Sequence, residues 1–231
     1  MPVSFSSAAR NLFLLGSSGV QVVTNFFKSI DQSSTTDGVF TPDEIKYNYT
    51  DQKYVLAGSA QDSNSKGFGW FEKRDYDGTS APLDWDVRVE STTSANTTLR
   101  ALELDSANNL IVVGFSGTVP WIAKYSNSGV LDWQSTSASA NVRYLGVTSD
   151  SNENYYTCGR TSLSASDTQA FVEKFDSNGN PGWGKSAFML GRDVVLKKIA
   201  VNTRGHVVSV GHLEDDNATK GYIIKLSLIH I

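Results

Sequence analysis

Few side chains in this sequence have the type and spacing of a reactive set. His206 and His212 stand six residues apart in a run that reads as one strand, and a period of two puts both on one face. Two imidazoles on one face can ligate a metal, but the acids that follow, Glu214, Asp215 and Asp216, fall at a turn, so no third ligand is evident. Asp75-Tyr-Asp77-Gly78 and Asp176-Ser-Asn178 look like the start of a calcium loop. Counting twelve positions from Asp176 reaches Ala187, where such a loop needs a bidentate Glu, so turn-forming Asp and Asn are the simpler explanation. The single cysteine, Cys158, excludes an internal disulfide and a Cys-based zinc site; it lies in the apolar run Tyr155–Cys158 and reads as a buried, inert thiol. Trp85, Trp133 and Trp183 recur at one repeat position and read as packing residues, as do Trp70 and Trp121 on inner strands; a sugar platform would need an exposed ring. The sequons at Asn48, Asn96 and Asn217 are what Ser/Thr/Asn-rich sequence produces by chance. There is no Ser–His–Asp arrangement, no phosphate-binding loop and no GxGxxG, and three histidines leave little for acid–base work near neutral pH. The expectation is a non-enzymatic protein with no catalytic residues, no metal and no cofactor.

Composition narrows the class. The chain has 231 residues, 39% of them hydrophobic, 11% aromatic and only 19% charged, with a net charge of −4. A packed core is available, and the abundance of Ser, Thr, Asn and Gly suits short strands joined by polar turns. No basic cluster appears, which argues against a nucleic-acid groove. No apolar run approaches the ~18 residues of a membrane span, and Leu12–Leu15 before Gly16 is too short for a secretory signal.

What must position any site is a repeat. Phe171-Val-Glu-Lys-Phe-Asp-Ser-Asn-Gly-Asn-Pro-Gly-Trp183 restates Trp121-Ile-Ala-Lys-Tyr-Ser-Asn-Ser-Gly-Val-Leu-Asp-Trp133. The same phrase occurs as Trp70-Phe-Glu-Lys-Arg-Asp-Tyr-Asp-Gly78 with Leu83-Asp-Trp85, and begins again at Tyr222-Ile-Ile-Lys-Leu226. Its lysines, Lys73, Lys124, Lys174 and Lys225, are spaced 51, 50 and 51 residues apart. Even spacing of this kind marks a repeat architecture. Each repeat divides into four short strands. In the second these are Leu99–Leu104, Leu110–Ser116, Pro120–Tyr125 and Val130–Gln134. Gly58, Gly114, Gly159 and Gly211 close the second strand, where a residue without Cβ lets backbones approach closely. Gly78, Gly129 and Gly179 sit in hairpin turns that need positive φ. Antiparallel strands in units of about 50 residues predict an all-β, propeller-like fold of about four four-stranded blades, the last incomplete. The divisions fall at 41–92, 93–141, 142–192 and 193–225, with a non-repeated arm over 1–40. Within the arm, Val22, Val23, Phe26, Phe27 and Ile30 would share a helix face, although the β-branched pair also suits a strand. The arm either packs on the first repeat or attaches another subunit, and Val20–Phe27 offers a strand that could complete the last blade.

The phrase ending in Trp183 resembles the bacterial β-propeller repeat called SBBP, which pairs it with an Ala-Val-Asp-x-x-Gly-Asn-Val-Tyr-Val-x-Gly phrase. Ile199-Ala-Val-Asn-Thr-Arg-Gly-His-Val-Val-Ser-Val-Gly211 and Leu102-Glu-Leu-Asp-Ser-Ala-Asn-Asn-Leu-Ile-Val-Val-Gly114 resemble that second half. The likeness covers about residues 44–226 and implies fold rather than chemistry. Residues 1–75, through Met1-Pro-Val-Ser-Phe-Ser-Ser-Ala-Ala-Arg-Asn-Leu-Phe-Leu-Leu-Gly-Ser17 and Asp43-Glu-Ile-Lys-Tyr-Asn-Tyr-Thr-Asp51, resemble tail-associated virion structural proteins of T4-like cyanophages. That resemblance implies a virion location, assembly in the host cytoplasm, and other virion or tail subunits as partners; host surface glycans are a further candidate. The alternative is a bacterial surface adhesin or carbohydrate-binding propeller. The hexapeptide Leu226-Ser-Leu-Ile-His-Ile231 is what one frame of a common sequencing adapter encodes, so residues 226–231 are expected to be an artefact and the fourth blade to lack its outer strand.

Overall fold

The computed structural model describes residues 12–16 and 19–23 (backbone only), 41–62, 64–75, 85–90, 95–139, 141–164, 167–187, 193–215 and 218–226. The fold is an all-β, four-bladed propeller. The first blade is β3 (Thr41–Asn48), β4 (Lys53–Gln61), β5 (Gly67–Asp75) and β6 (Trp85–Val89), after an N-terminal hairpin of β1 (Leu12–Gly16) and β2 (Gly19–Val23). The second is β7 (Thr97–Leu104), β8 (Leu110–Ser116), β9 (Val119–Tyr125) and β10 (Leu131–Ser135). The third is β11 (Val142–Ser149), β12 (Tyr155–Ser164), β13 (Asp167–Phe175) and β14 (Pro181–Ala187). The fourth comprises β15 (Asp193–Val201), β16 (Val207–Asp215) and β17 (Ala218–Leu226) among the described residues. Every blade is an antiparallel meander in sequence order. The first strands β3, β7, β11 and β15 touch in succession and so line the ring axis.

The repeat generates this arrangement through burial. The second and third strands of a blade lie between neighbouring blades, so β8 (Leu-Ile-Val-Val-Gly-Phe-Ser) is buried over its first five residues. The outermost strands face a neighbour on one side only, and Trp85–Val89 alternates between half-buried and exposed. The core therefore sits at the blade interfaces. Val55, Ala57 and Phe71 of the first blade meet Leu99, Leu110, Val112 and Tyr125 of the second. Ile111, Val113 and Ile122 then meet Val142, Tyr144 and Tyr155, and Tyr156, Cys158 and Val172 meet Val194, Leu196 and Val207. Each fully buried side chain of this size contributes about 1.5–3 kcal/mol, and almost none is buried within one blade alone.

Turns carry the polar residues. Asp105, Asp150, Asp176 and Asn202 each accept backbone N–H bonds from positions two and four residues on, at 2.8–3.0 Å. This occupies the Asp176 side chain on its own loop, as an Asx turn does. Gly129 and Gly179 have φ of 80° in the third hairpin turn of their blades, while Gly78 lies outside the described residues. Two expectations are corrected. Gly19–Val23 is strand, paired with Leu12–Gly16 in a sheet of its own, so Val22 and Val23 share no helix face and that strand does not complete the fourth blade. The β-branched valines suit the strand. His206 precedes β16 rather than lying on it, because Asn202–His206 is a turn closed by the Asn202 side chain; a shared strand face with His212 is not formed.

Candidate functional site

The innermost strand of every blade carries a β-bulge at the same place. The register slips between Pro42 and Glu44, Leu99 and Ala101, Tyr144 and Gly146, and Leu196 and Lys198. The extra residues are Asp43, Arg100, Leu145 and Lys197, and all four line one axial cavity of about 400 Å³. A bulge re-aims the residue it adds, and here it turns one side chain per blade toward the axis. The residues paired at the slip are Gly58, Gly114, Gly159 and Gly211. A Cβ there would stand 2.2, 2.0, 1.9 and 1.9 Å from the carbonyl oxygens of Thr41, Thr98, Arg143 and Val195. The recurrent glycine is thus the condition for the bulge, and the bulge is the condition for the axial residue.

The lining is strongly basic. Arg100, Arg143, Arg160, Lys197 and Lys198 surround the cavity with His212, Phe115 and one carboxylate, Asp43. Arg143 and Arg160 are direct neighbours across β11 and β12. The Phe115 ring lies 4.8 Å from the Arg143 guanidinium and 5.6 Å from that of Arg100, so its face braces both. Arg100 pairs with Asp43 at 3.4 Å, and Lys198 pairs with Glu44. Among the described residues no ion pair involves Arg143, Arg160 or Lys197. Asp43 Oδ2 and Arg100 Nε are buried and lack hydrogen-bond partners among the described residues. Burial raises the Asp43 carboxyl above its ordinary value against the pull of Arg100. Burial, then the charges of Arg160 and Arg100, lowers the Arg143 guanidinium from its own. Burial dominates both groups, and at Arg143 the like charges of Arg160 and Arg100 act in the same direction as burial.

The absence of a basic run in the sequence therefore did not mean the absence of a basic cluster. The cations come from β7, β11, β12 and β15, separated in sequence and brought together by ring closure. A signal was present: aligning the repeats on their closing glycines stacks Arg100, Leu145 and Lys197 in one column, with Asp43 one residue out of step, and Ser59, Phe115, Arg160 and His212 in another.

The residues singled out by periodicity lie away from this cavity. Lys73 is 4% exposed, ion-paired to Asp51 of its own blade and 2.9 Å from Asn127 Oδ1 of the next. Lys124 does the same with Asp105 at 3.1 Å, Glu153 at 3.1 Å and the Tyr155 hydroxyl at 2.9 Å. Burial alone would lower its ammonium, but these three hydrogen bonds hold it above its ordinary value. Lys174 is half-buried, 5.7 Å from the centre of the Tyr156 ring, and Lys225 is exposed. Trp85, Trp133 and Trp183 are partly buried at blade edges, each packed on the core between its own blade and the next, with only one face of the outer strand covered. Trp85 donates its indole N–H to Asn127 O at 3.2 Å and Trp133 to Ser177 O at 3.1 Å. Gly129 and Gly179 are packed against those rings. Trp70 and Trp121 are buried, and Cys158 is fully buried with its thiol pushed up to about 12 by that burial. Asn48 is buried and hydrogen-bonded to Asp51 and Asn127, which leaves no room for a glycan.

The sequence matches no protein-family model and no curated protein sequence. Among solved structures, a candidate exo-β-1,3-galactanase of Bifidobacterium bifidum s17 superposes with a TM-score of 0.56 at 9% identity, over 87% of this chain and 72% of that one. The tail fiber of Staphylococcus aureus phage P68 aligns with a TM-score of 0.32 at 12% identity, over 80% of this chain and 49% of that one. The first likeness concerns the fold alone, and the second carries no argument.

Proposed function

We propose that this chain is a non-enzymatic structural protein of a phage particle, tail- or baseplate-associated, working as a rigid protein-interaction scaffold. One observation carries the reading: the blades are stapled to one another by polar contacts as well as by apolar cores. Trp85 and Trp133 each reach a turn of the following blade, and Lys73 and Lys124 each tie their own first turn to the next blade. Such cross-ties favour a body that transmits load without changing shape. The resemblance of residues 1–75 to tail-associated virion proteins supplies the context, and other tail subunits are then the partners. The axial groups are mainly cations, with one carboxylate and His212, a set suited to holding an anionic ligand. Mass spectrometry of purified particles tests the proposal; the protein should be present at structural stoichiometry, and particles lacking it would defeat the reading. The second reading, a surface adhesin or carbohydrate-binding propeller, draws on the axial cavity, whose volume suits a small ligand. Selective glycan-array binding by a protein missing from particles would favour it.

A further inference from the structure

We propose that the axial funnel is an oxyanion-binding site, in which Arg143, Arg160 and Lys197 take a carboxylate, sulfate or phosphate group. The inference goes beyond the scaffold reading and holds for either biological context. Three observations converge. The first is charge: five cations line about 400 Å³ against two carboxylates, Asp43 in the lining and Glu44 paired with Lys198, in a protein whose net charge is −4. Chance would not concentrate like charges against the sign of the whole molecule, and mutual repulsion costs stability unless something opposes it.

The second observation is construction. Two of the cations, Arg100 and Lys197, are bulge residues that require glycine on the partner strand, with a carbonyl about 2 Å from where a Cβ would be, and Arg143 and Arg160 pair in register beside the bulge of the third blade. The third is the state of the donors. Arg100 and Lys198 already have Asp43 and Glu44, whereas Arg143, Arg160 and Lys197 keep their N–H groups unmatched by any carboxylate among the described residues. Guanidinium forks match the two oxygens of a carboxylate, or two of a sulfate or phosphate, and Phe115 limits the swing of Arg143. An anion at this point would oppose the burial, and then the charges of Arg160 and Arg100, that lower the Arg143 guanidinium. The half-exposure of Arg143 and Arg160 leaves their donors open to a ligand entering along the axis.

The test is calorimetric titration of the whole chain with sulfate, phosphate, galacturonate and galactose, at fixed low chloride, alongside Arg143→Gln, Arg160→Gln and Lys197→Gln. At least one anion should bind at concentrations up to about 10 mM, with affinity falling as chloride rises, and galactose should not. Each Arg→Gln should weaken binding about tenfold or more, the usual consequence of losing a charge-assisted hydrogen bond. Tighter galacturonate than sulfate or phosphate assigns the site to sugar carboxylates, and the reverse order assigns it to sulfated or phosphorylated ligands. The variants should melt at or above the temperature of the parent, since neutralising them removes repulsion; a purely structural role would lower it. Lys197→Gln, on an exposed bulge, retains the test if an arginine variant fails to fold. No anion binding at about 10 mM, equal binding of galactose and galacturonate, or unchanged affinity in all three variants would overturn the proposal.

Discussion

At Gly114 a single methyl group separates the native fold from a steric conflict. Its Cβ would lie 2.0 Å from Thr98 O and 2.8 Å from Trp121 Cζ2, and neither can retreat, one being backbone and the other buried. Gly114→Ala should therefore cost at least about 3 kcal/mol, at or beyond the top of the range for overpacking, measured by urea denaturation. A variant as stable as the parent would show that the bulge carrying Arg100 can open without loss. Asp51 sets a different expectation. The hydrogen bond from Lys73, then that from Asn127, holds its carboxyl below the ordinary value. Since the folded value lies below the unfolded one, this stabilisation is complete above about pH 4 and is lost as pH falls through the folded value. Asp150 is also held low: its burial acts the other way and is outweighed by bonds from Asn154, Asn152 and Tyr156. Thermal melts should drop on acidification below pH 4, and Asp51→Asn should flatten part of that fall. An acid limb of unaltered steepness in the variant would remove Asp51 from the explanation.

At the scale of the strand, the outer strand of each of the first three blades carries one tryptophan packed on the core. Trp133 leans on the Gly179 turn, donates to Ser177 O at 3.1 Å and lies 5.6 Å from the Tyr155 ring. Because the ring is half-buried, Trp133→Ala should cost about 2–3 kcal/mol, below the 3–5 kcal/mol usual for a fully buried aromatic. Trp133→Phe, which keeps the ring contact and loses the N–H, should recover all but about 1 kcal/mol of it. Equal loss in both variants, read from denaturant midpoints, would shift the weight from the ring to the hydrogen bond. Hydrogen exchange should find β10 and β14 opening before β8 and β12, since the outer strands are covered on one face only.

At the scale of the molecule, the ring has one seam unlike the other three. Between the first and fourth blades the described contact is the Glu44–Lys198 ion pair, while Ile45, Val210 and Ile223 remain 55%, 41% and 71% exposed. At the other junctions, equivalent residues such as Val113 and Ile122 are fully buried. Among the described residues β17 pairs only with β16, and it carries the exposed Ile223. An apolar edge strand invites pairing with another chain. Size-exclusion chromatography with light scattering should show self-association that grows with concentration, and Ile223→Lys should suppress it. A monodisperse monomer over the whole concentration range would show that this seam is covered.

The blade was legible from sequence because burial leaves a periodic mark. Leu110–Gly114 is apolar throughout since both faces are covered, and Lys73, Lys124, Lys174 and Lys225 keep one spacing since each occupies the same place in a repeated unit. The closing glycines were legible too, as points of close backbone approach. The bulges opposite them were not, because a slipped register is a relation between two strands and leaves no residue type of its own at Asp43, Arg100, Leu145 or Lys197. Half-burial of Trp133 and Trp183 depended on which strand became outermost. The funnel was hidden for the same reason: Arg100, Arg143, Arg160 and Lys197 come from different strands and look like ordinary surface charges until the ring closes. Local pattern determined the repeat, since strand pairing and turn formation act over a few residues. Tertiary structure alone decided the site, since electrostatic crowding depends on distances that only ring closure sets.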